Sequence, residues 1–130
     1  MTLRERFGRR LAEQTPEQFE RVTLGLALER DLLAPTRATL RITTPRFGGT
    51  NAKPFGQKAL DALHDGVRTL VVDLAAVRDV DRAAMGALCS AHDAFRRAGG
   101  SFVLAHLDED VRALLGYAGI LNRFELLEVR

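Results

Sequence analysis

The sequence has little of several residue types, and each shortage narrows what the chain can be. Its 130 residues include no tryptophan, one tyrosine and one cysteine, Cys89. A lone cysteine cannot form a disulfide within the chain. Its place in a helical apolar pattern predicts a small, buried side chain, with a reactive thiol as the alternative.

Long apolar runs are also missing. No stretch approaches the roughly 20 apolar residues of a membrane helix, and residues 1–10 lack the apolar core of a secretory signal. We therefore expect a cytoplasmic protein without stable membrane insertion.

Charge of one sign is not concentrated anywhere in the chain. The 19 basic and 17 acidic residues give a net charge of +2, and the two signs are interspersed. Nucleic-acid binders usually cluster their basic residues and offer aromatic side chains for stacking. Nucleic-acid binding is therefore not expected.

No pattern in the sequence indicates catalysis. His64, His92 and His106 fall at a predicted helix end, in a helix middle and at a strand end, so no spacing pairs them with a carboxylate. Asp73 ends an apolar strand and is expected to anchor a turn. Metal-ligand spacings, a phosphate-binding glycine loop and a nucleophile elbow are missing. We expect no enzyme, no cofactor and no metal.

The apolar periodicity predicts an α/β fold. A chain of 130 residues suits a single hydrophobic core, so we expect one domain. Apolar residues alternate from Val22 to Leu28, which predicts a strand, and an antiparallel partner is predicted at 37–43. The other elements follow in alternation: helix 52–64, strand 69–74, helix 82–98, strand 101–106, helix 108–117 and strand 123–129. Asn51 is predicted to N-cap the first of these helices, and the buried face of that helix is predicted to comprise Phe55, Ala59, Leu60 and Leu63. We predict a mixed β-sheet flanked by helices.

A short helical extension, residues 1–18, is predicted ahead of the domain at 19–130. Leu3, Phe7 and Leu11 recur every four residues and share one helical face. We favour a segment that docks on its own domain or frays over one that binds a membrane surface or a partner. Exchange of the segment between subunits stays open.

Several segments together carry a resemblance to a known family. They are the strand Leu70–Leu74, the pair Val80-Asp81, the helix start Met85–Leu88, the helix end Arg96–Gly100 and the stretch Val111–Ile120. In this order they resemble the STAS domain, the fold of sulfate transporters and anti-sigma-factor antagonists, over about residues 19–129.

The resemblance implies a non-enzymatic regulator that switches protein partners. In typical bacterial antagonists the loop before the second main helix reads Asp-Ser-Ser-Gly, and a kinase that is also the anti-sigma factor phosphorylates the first serine. Here Asp81 matches the acid, Arg82 replaces the first serine, Ala83 the second and Ala84 the glycine. An arginine cannot accept the phosphate, so the resemblance implies docking without the usual phosphoserine switch.

Two loops are expected to form the docking surface, since both lie on the side of the fold where relatives bind partners. One is the loop before the second main helix. The other is Pro45–Gly48, which departs from the Gly-Glu-Leu-Asp that relatives often carry. The surface is predicted to comprise Arg46, Phe47, Asp81, Arg82, Ala83 and Met85, with exposed apolar groups near Phe47 and Met85. Alternative phosphorylation sites are Thr43, Thr44 and Thr50.

A simpler interpretation stands beside docking. Arg82 could pair with Asp79 or Asp81 on the surface, and Asp81 could serve only as a helix N-cap.

The partner expected from the resemblance is a protein, either an anti-sigma factor or a kinase-like regulator. The alternative function is an accessory or scaffold STAS subunit of a transporter ATPase or of a multi-protein signalling assembly. A homodimer stays open.

Overall fold

The computed structural model describes residues 25–127 of the chain. The strands are β1 (Leu26–Arg30), β2 (Arg37–Ile42), β3 (Arg46–Phe47), β4 (Thr69–Asp73), β5 (Asp79–Val80), β6 (Ser101–Ala105) and β7 (Glu125–Leu127). The helices are α1 (Ala52–His64), α2 (Arg82–Arg97) and α3 (Glu109–Tyr117), and a 3-10 turn at Leu121–Arg123 precedes β7.

The main sheet is mixed, as predicted, with the strand order β1-β2-β4-β6-β7. β1 and β2 are antiparallel, and the remaining neighbours are parallel. Each parallel connection therefore steps in the same direction across the sheet. Because such crossovers are right-handed, they lay all three helices on one face.

The hydrophobic core lies between that face and the helices. Alternate strand residues such as Leu40, Leu70, Val72 and Leu104 point into it and are fully buried. The helices contribute one stripe each, spaced at three or four residues: Phe55, Ala59 and Ala62 from α1, Leu88, Ala91 and Phe95 from α2, and Val111 and Leu115 from α3.

The observed elements differ from the predicted ones mainly at their ends. β1 continues to Arg30, where a connection was expected, and residues 22–24 of the predicted strand lie outside the described residues. The 3-10 turn shortens the last strand. Leu60 was expected inside but is 36% exposed, because Phe55, Ala59 and Ala62 already form the buried stripe of α1.

Candidate functional site

The candidate site lies at the carboxyl ends of the parallel strands, where α1 and α2 begin. Here β3 and β5 form a second, two-stranded parallel sheet in which Arg46 pairs with Asp79 and Phe47 with Val80. This pairing places the loop before α1 beside the start of α2. The two predicted docking segments are therefore neighbours.

Asp81 joins these two segments directly. It is the N-cap of α2, as predicted, and its Oδ1 accepts a hydrogen bond from the backbone N–H of Ala84 at 3.0 Å. Its Oδ2 accepts a second bond from the N–H of Gly49, in the loop before α1, at 2.9 Å. One carboxylate thus caps a helix and fixes the neighbouring loop.

Hydrogen bonding also changes the acidity of Asp81. The pKa of its carboxyl is lowered from the ordinary value of 3.8, chiefly by the Ala84 N–H, while desolvation opposes the change. The N–H groups of Gly49 and Ala83 and the charge of Arg46 lower it further. Because these donors favour the ionised form, Asp81 is a carboxylate at neutral pH.

Gly48 allows the loop to come this close. A Cβ atom at this position would overlap the Asp81 carboxylate, lying 2.7 Å from its Cγ. The Gly48 N–H also donates to Asn51 Oδ1 at 2.9 Å, and Asn51 Nδ2 donates to Thr44 Oγ1 at 3.1 Å. Asn51 is the N-cap residue of α1, as predicted, but its side chain makes no capping bond to the helix, because its amide closes the preceding loop instead.

Phe47 is a core residue, which corrects the expectation that it is exposed. Its side chain is fully buried, and its ring lies 5.0 Å from the Phe55 ring in an edge-on arrangement. The reason is strand alternation: in β3 the Arg46 side chain points to solvent and the next residue points inward. The Phe47 side chain cannot contact a partner without leaving the core.

The remaining predicted docking residues line the outer side of this junction. Arg46 is exposed, and its Nε lies 3.6 Å from Asp79 Oδ2. Arg82 and Ala83 are exposed on the first turn of α2, and Met85 is half-buried against the core. Between the described residues, Arg82 makes no ion pair with Asp79 or Asp81, so the simple surface-pair interpretation is not supported.

The three predicted threonines differ in how free their hydroxyl groups are. Thr44 is half-buried, and its Oγ1 donates to the Arg46 carbonyl at 2.8 Å while accepting from Asn51. Thr43 and Thr50 are exposed. Modification of the Thr44 hydroxyl would therefore disrupt its hydrogen bonds to Arg46 and Asn51.

The other candidate residues are structural. Asp73 anchors a turn, as predicted: its Oδ1 accepts from the Ala75 N–H at 3.0 Å and its Oδ2 from Arg41 Nε at 3.1 Å. His92 is buried with its ring 5.3 Å from that of Phe124. Cys89 is half-buried rather than buried. In residues 25–127, no group of three potential ligands is placed to hold a metal ion.

Sequence reasoning missed the bonds that assemble the site. The two-residue strands β3 and β5 are too short to show a period, and the contact from Asp81 to Gly49 spans 32 residues. The available signal was the Gly48-Gly49 pair beside Asn51, since adjacent glycines often mark a close backbone approach.

The family of the chain follows from a match to the STAS domain over residues 2–129. The protein belongs to the STAS domain family, as its sequence motifs suggested. The match begins well before residue 19, so the predicted division at residues 18 and 19 stays a prediction. Among the described helices, none combines the length and apolar character needed to cross a bilayer. No curated protein matches the chain in sequence.

Solved structures share the fold at low sequence identity. A candidate anti-sigma factor antagonist from Thermotoga maritima superposes with a TM-score of 0.71 at 17% identity, covering 80% of this chain and 86% of that one. An anti-sigma factor antagonist from Mycobacterium paratuberculosis gives 0.67 at 16% identity, with coverages of 80% and 85%. A sulfate transporter family protein from Wolinella succinogenes gives 0.62 at 17% identity, with coverages of 72% and 73%. At such identities the likeness establishes the α/β fold alone.

Proposed function

We propose that this chain is a non-enzymatic, cytoplasmic protein-interaction module of the anti-sigma-factor-antagonist type. Its docking surface, which we call the loop surface, comprises Arg46, Asp81, Arg82, Ala83 and Met85. STAS domains are generally regulatory binding modules. The observation that carries the proposal is the double hydrogen bond of Asp81, which holds the Gly49 loop against the first turn of α2.

That bond gives the loop surface a fixed shape before any partner arrives. Ordering loops on binding costs free energy, and a surface that is already ordered avoids that cost. Exposed arginines such as Arg46 and Arg82 are enriched in protein interfaces, and the flexible Met85 side chain adapts to an apolar contact. The cations of this surface favour acidic groups on the partner.

In this proposal, partner choice does not depend on phosphorylation of residue 82. A phosphoserine there would add about −1.5 to −2 charge at the helix start, whereas Arg82 has the opposite sign. Residues 79–86 contain no hydroxyl side chain. Any phosphate control would act elsewhere, with Thr43 and Thr50 exposed on the adjacent loops.

The second candidate function is an accessory or scaffold role in a transporter ATPase or a multi-protein signalling assembly. The likeness to the sulfate transporter family protein from Wolinella succinogenes favours it. Both functions use the fold as a binding module, so the identity of the partner separates them.

The test is co-purification of partners from the native organism with the wild type, Arg82→Glu and Arg82→Ser. Arg82→Glu should weaken the captured complex by about tenfold or more, because it reverses a charge at the centre of the loop surface. Arg97→Glu is the matched control, since Arg97 is exposed at the other end of the same helix. A kinase-like or anti-sigma partner supports the first function, and a transporter ATPase the second.

The proposal fails if neither Arg82 substitution alters any interaction while both variants keep the wild-type circular dichroism spectrum. Equal losses for Arg82→Glu and Arg97→Glu would also contradict it, because they would indicate a general effect of charge and not a contact at the loop surface.

A further inference from the structure

The sheet has a second face that none of the described helices covers. The register aligns two rows of side chains on it, each running from β1 to β7: Ala27, Arg41, Asp73, Ala105 and Leu127, then Glu29, Thr39, Val71, Val103 and Glu125. We call this the outer face. Since all three helices pack on the opposite side, its occupant must come from elsewhere.

The centre of the outer face is apolar. Val71, Val103 and Ala105 form a cluster separate from the main core, and they are only 6%, 9% and 2% exposed. Leu127, the register neighbour of Ala105, extends the patch and is 41% exposed. A sheet face that is open to water usually carries polar side chains. The apolar side chains of this patch therefore indicate contact with another apolar surface.

We propose that residues 1–18 of the same chain occupy the outer face, with Leu3, Phe7 and Leu11 on the patch of Val71, Val103, Ala105 and Leu127. Those three side chains form the one apolar stripe of the segment, and a stripe at this spacing needs a surface to cover it. The outer face is distinct from the loop surface, and its occupancy does not depend on the proposed function.

The chain is long enough to reach. The described residues begin at Gly25, beside β1, and Leu26 pairs with Ile42 at the same end of the sheet as Ala105 and Leu127. From β1 to β6 is three strand spacings, about 14 Å, whereas residues 12–24 could extend to about 43 Å.

The dimensions of the two surfaces also agree. If residues 3–11 are helical, as the periodicity predicts, Leu3 and Leu11 lie about 12 Å apart along the axis. The patch from β4 to β7 is two strand spacings wide, about 10 Å. One short helix crossing the strands would therefore cover it.

Charge favours the same occupant. Residues 1–14 carry four arginines against two glutamates, Glu5 and Glu13. At the margin of the patch, Glu125 is exposed and has no ion pair with any described residue. A basic helix laid across the patch could place an arginine beside this carboxylate.

The direct test is NMR on the full-length chain, measuring nuclear Overhauser effects between the Phe7 ring protons and the methyl groups of Val71 and Val103. We expect these effects within one chain. A sample that mixes isotope-labelled and unlabelled chains identifies the occupant: effects between chains would overturn the proposal in favour of a second copy.

Thermal unfolding of the full-length chain gives an independent measure. Phe7→Ala should lower the unfolding midpoint by roughly 10 °C, the size expected when a buried aromatic side chain is lost from a domain of this size. Leu33→Ala, at an exposed site, is the control and should leave the midpoint unchanged. An unchanged midpoint for Phe7→Ala together with absent Overhauser effects would overturn the proposal.

Discussion

The two ends of the sheet are built in different ways. At the end where α1 and α2 begin, side chains bind the backbone of neighbouring loops: Asp81 binds Gly49, and Asn51 binds Gly48. At the opposite end, the hairpin between β1 and β2 exposes Leu32 and Leu33 almost completely, at 95% and 96%.

Connectivity explains this difference. The hairpin satisfies its own backbone, since the Asp31 N–H donates to the Arg37 carbonyl and the Arg37 N–H to the Ala34 carbonyl. Its loop also uses a local side chain, since the Leu33 N–H donates to Asp31 Oδ1 two residues away at 2.9 Å. Two crossover connections meet at the other end, where the Gly49 N–H depends on the Asp81 carboxylate, 32 residues away in the sequence. Substitutions at the two ends should consequently differ in cost.

The largest effect is expected for Phe47→Ala. Removing a fully buried ring that packs on Phe55 should lower the free energy of unfolding by about 3 to 5 kcal/mol. Chemical denaturation measures this loss, with Leu33→Ala as the control at the hairpin end. A loss no greater than that of Leu33→Ala would mean that Phe47 is not a core residue.

Gly48→Ala should cost less, about 1 to 3 kcal/mol, because the new methyl group overlaps the Asp81 carboxylate and the loop must shift. Its neighbour provides the matched control: a Cβ at Gly49 meets no atom within 4 Å, so Gly49→Ala should be nearly neutral. Equal costs for the two variants, measured by denaturation, would show that the loop does not press on Asp81.

Asp81→Asn should produce a smaller loss that depends on pH. The pKa of Asp81 is lowered on folding, so its carboxylate stabilises the native state above the ordinary value of 3.8, and this contribution disappears as the pH falls through the folded pKa. The stability gap between wild type and Asp81→Asn should therefore shrink in acid. Unfolding midpoints measured from pH 7 down to pH 2 test this, and a gap independent of pH would contradict it.

The smallest effect is expected at the hairpin. Leu32→Ser and Leu33→Ser should each change the free energy of unfolding by no more than about 0.5 kcal/mol, because neither side chain is buried in the described structure. A loss of 1 kcal/mol or more would reveal that this end carries contacts comparable to those around Asp81.

Much of the fold was predictable because its helices and central strands have strong periodicities. The predicted bounds of the helices beginning at Ala52 and Arg82 agree with the structure to within one residue. The strand at Leu70 was equally clear. Failures fell on elements without a period, such as β3 and β5, and on contacts between residues remote in sequence, such as the bond from Gly49 to Asp81.

The candidate site was predicted in part. The N-cap at Asp81 could be read locally, since an aspartate just before an apolar helix favours that role. The burial of Phe47 could not, because a two-residue strand gives no alternation from which to assign a face. Whether the loop surface binds a partner stays a prediction.

By itself, the sequence determined the family and the order of the main helices and strands, because both follow from local residue patterns. Only the tertiary structure decided that Asp81 holds the Gly49 loop, that Phe47 faces inward and that one face of the sheet lacks a described helix. These features depend on contacts between segments some 30 residues apart, which form only when the crossovers bring the strand ends together.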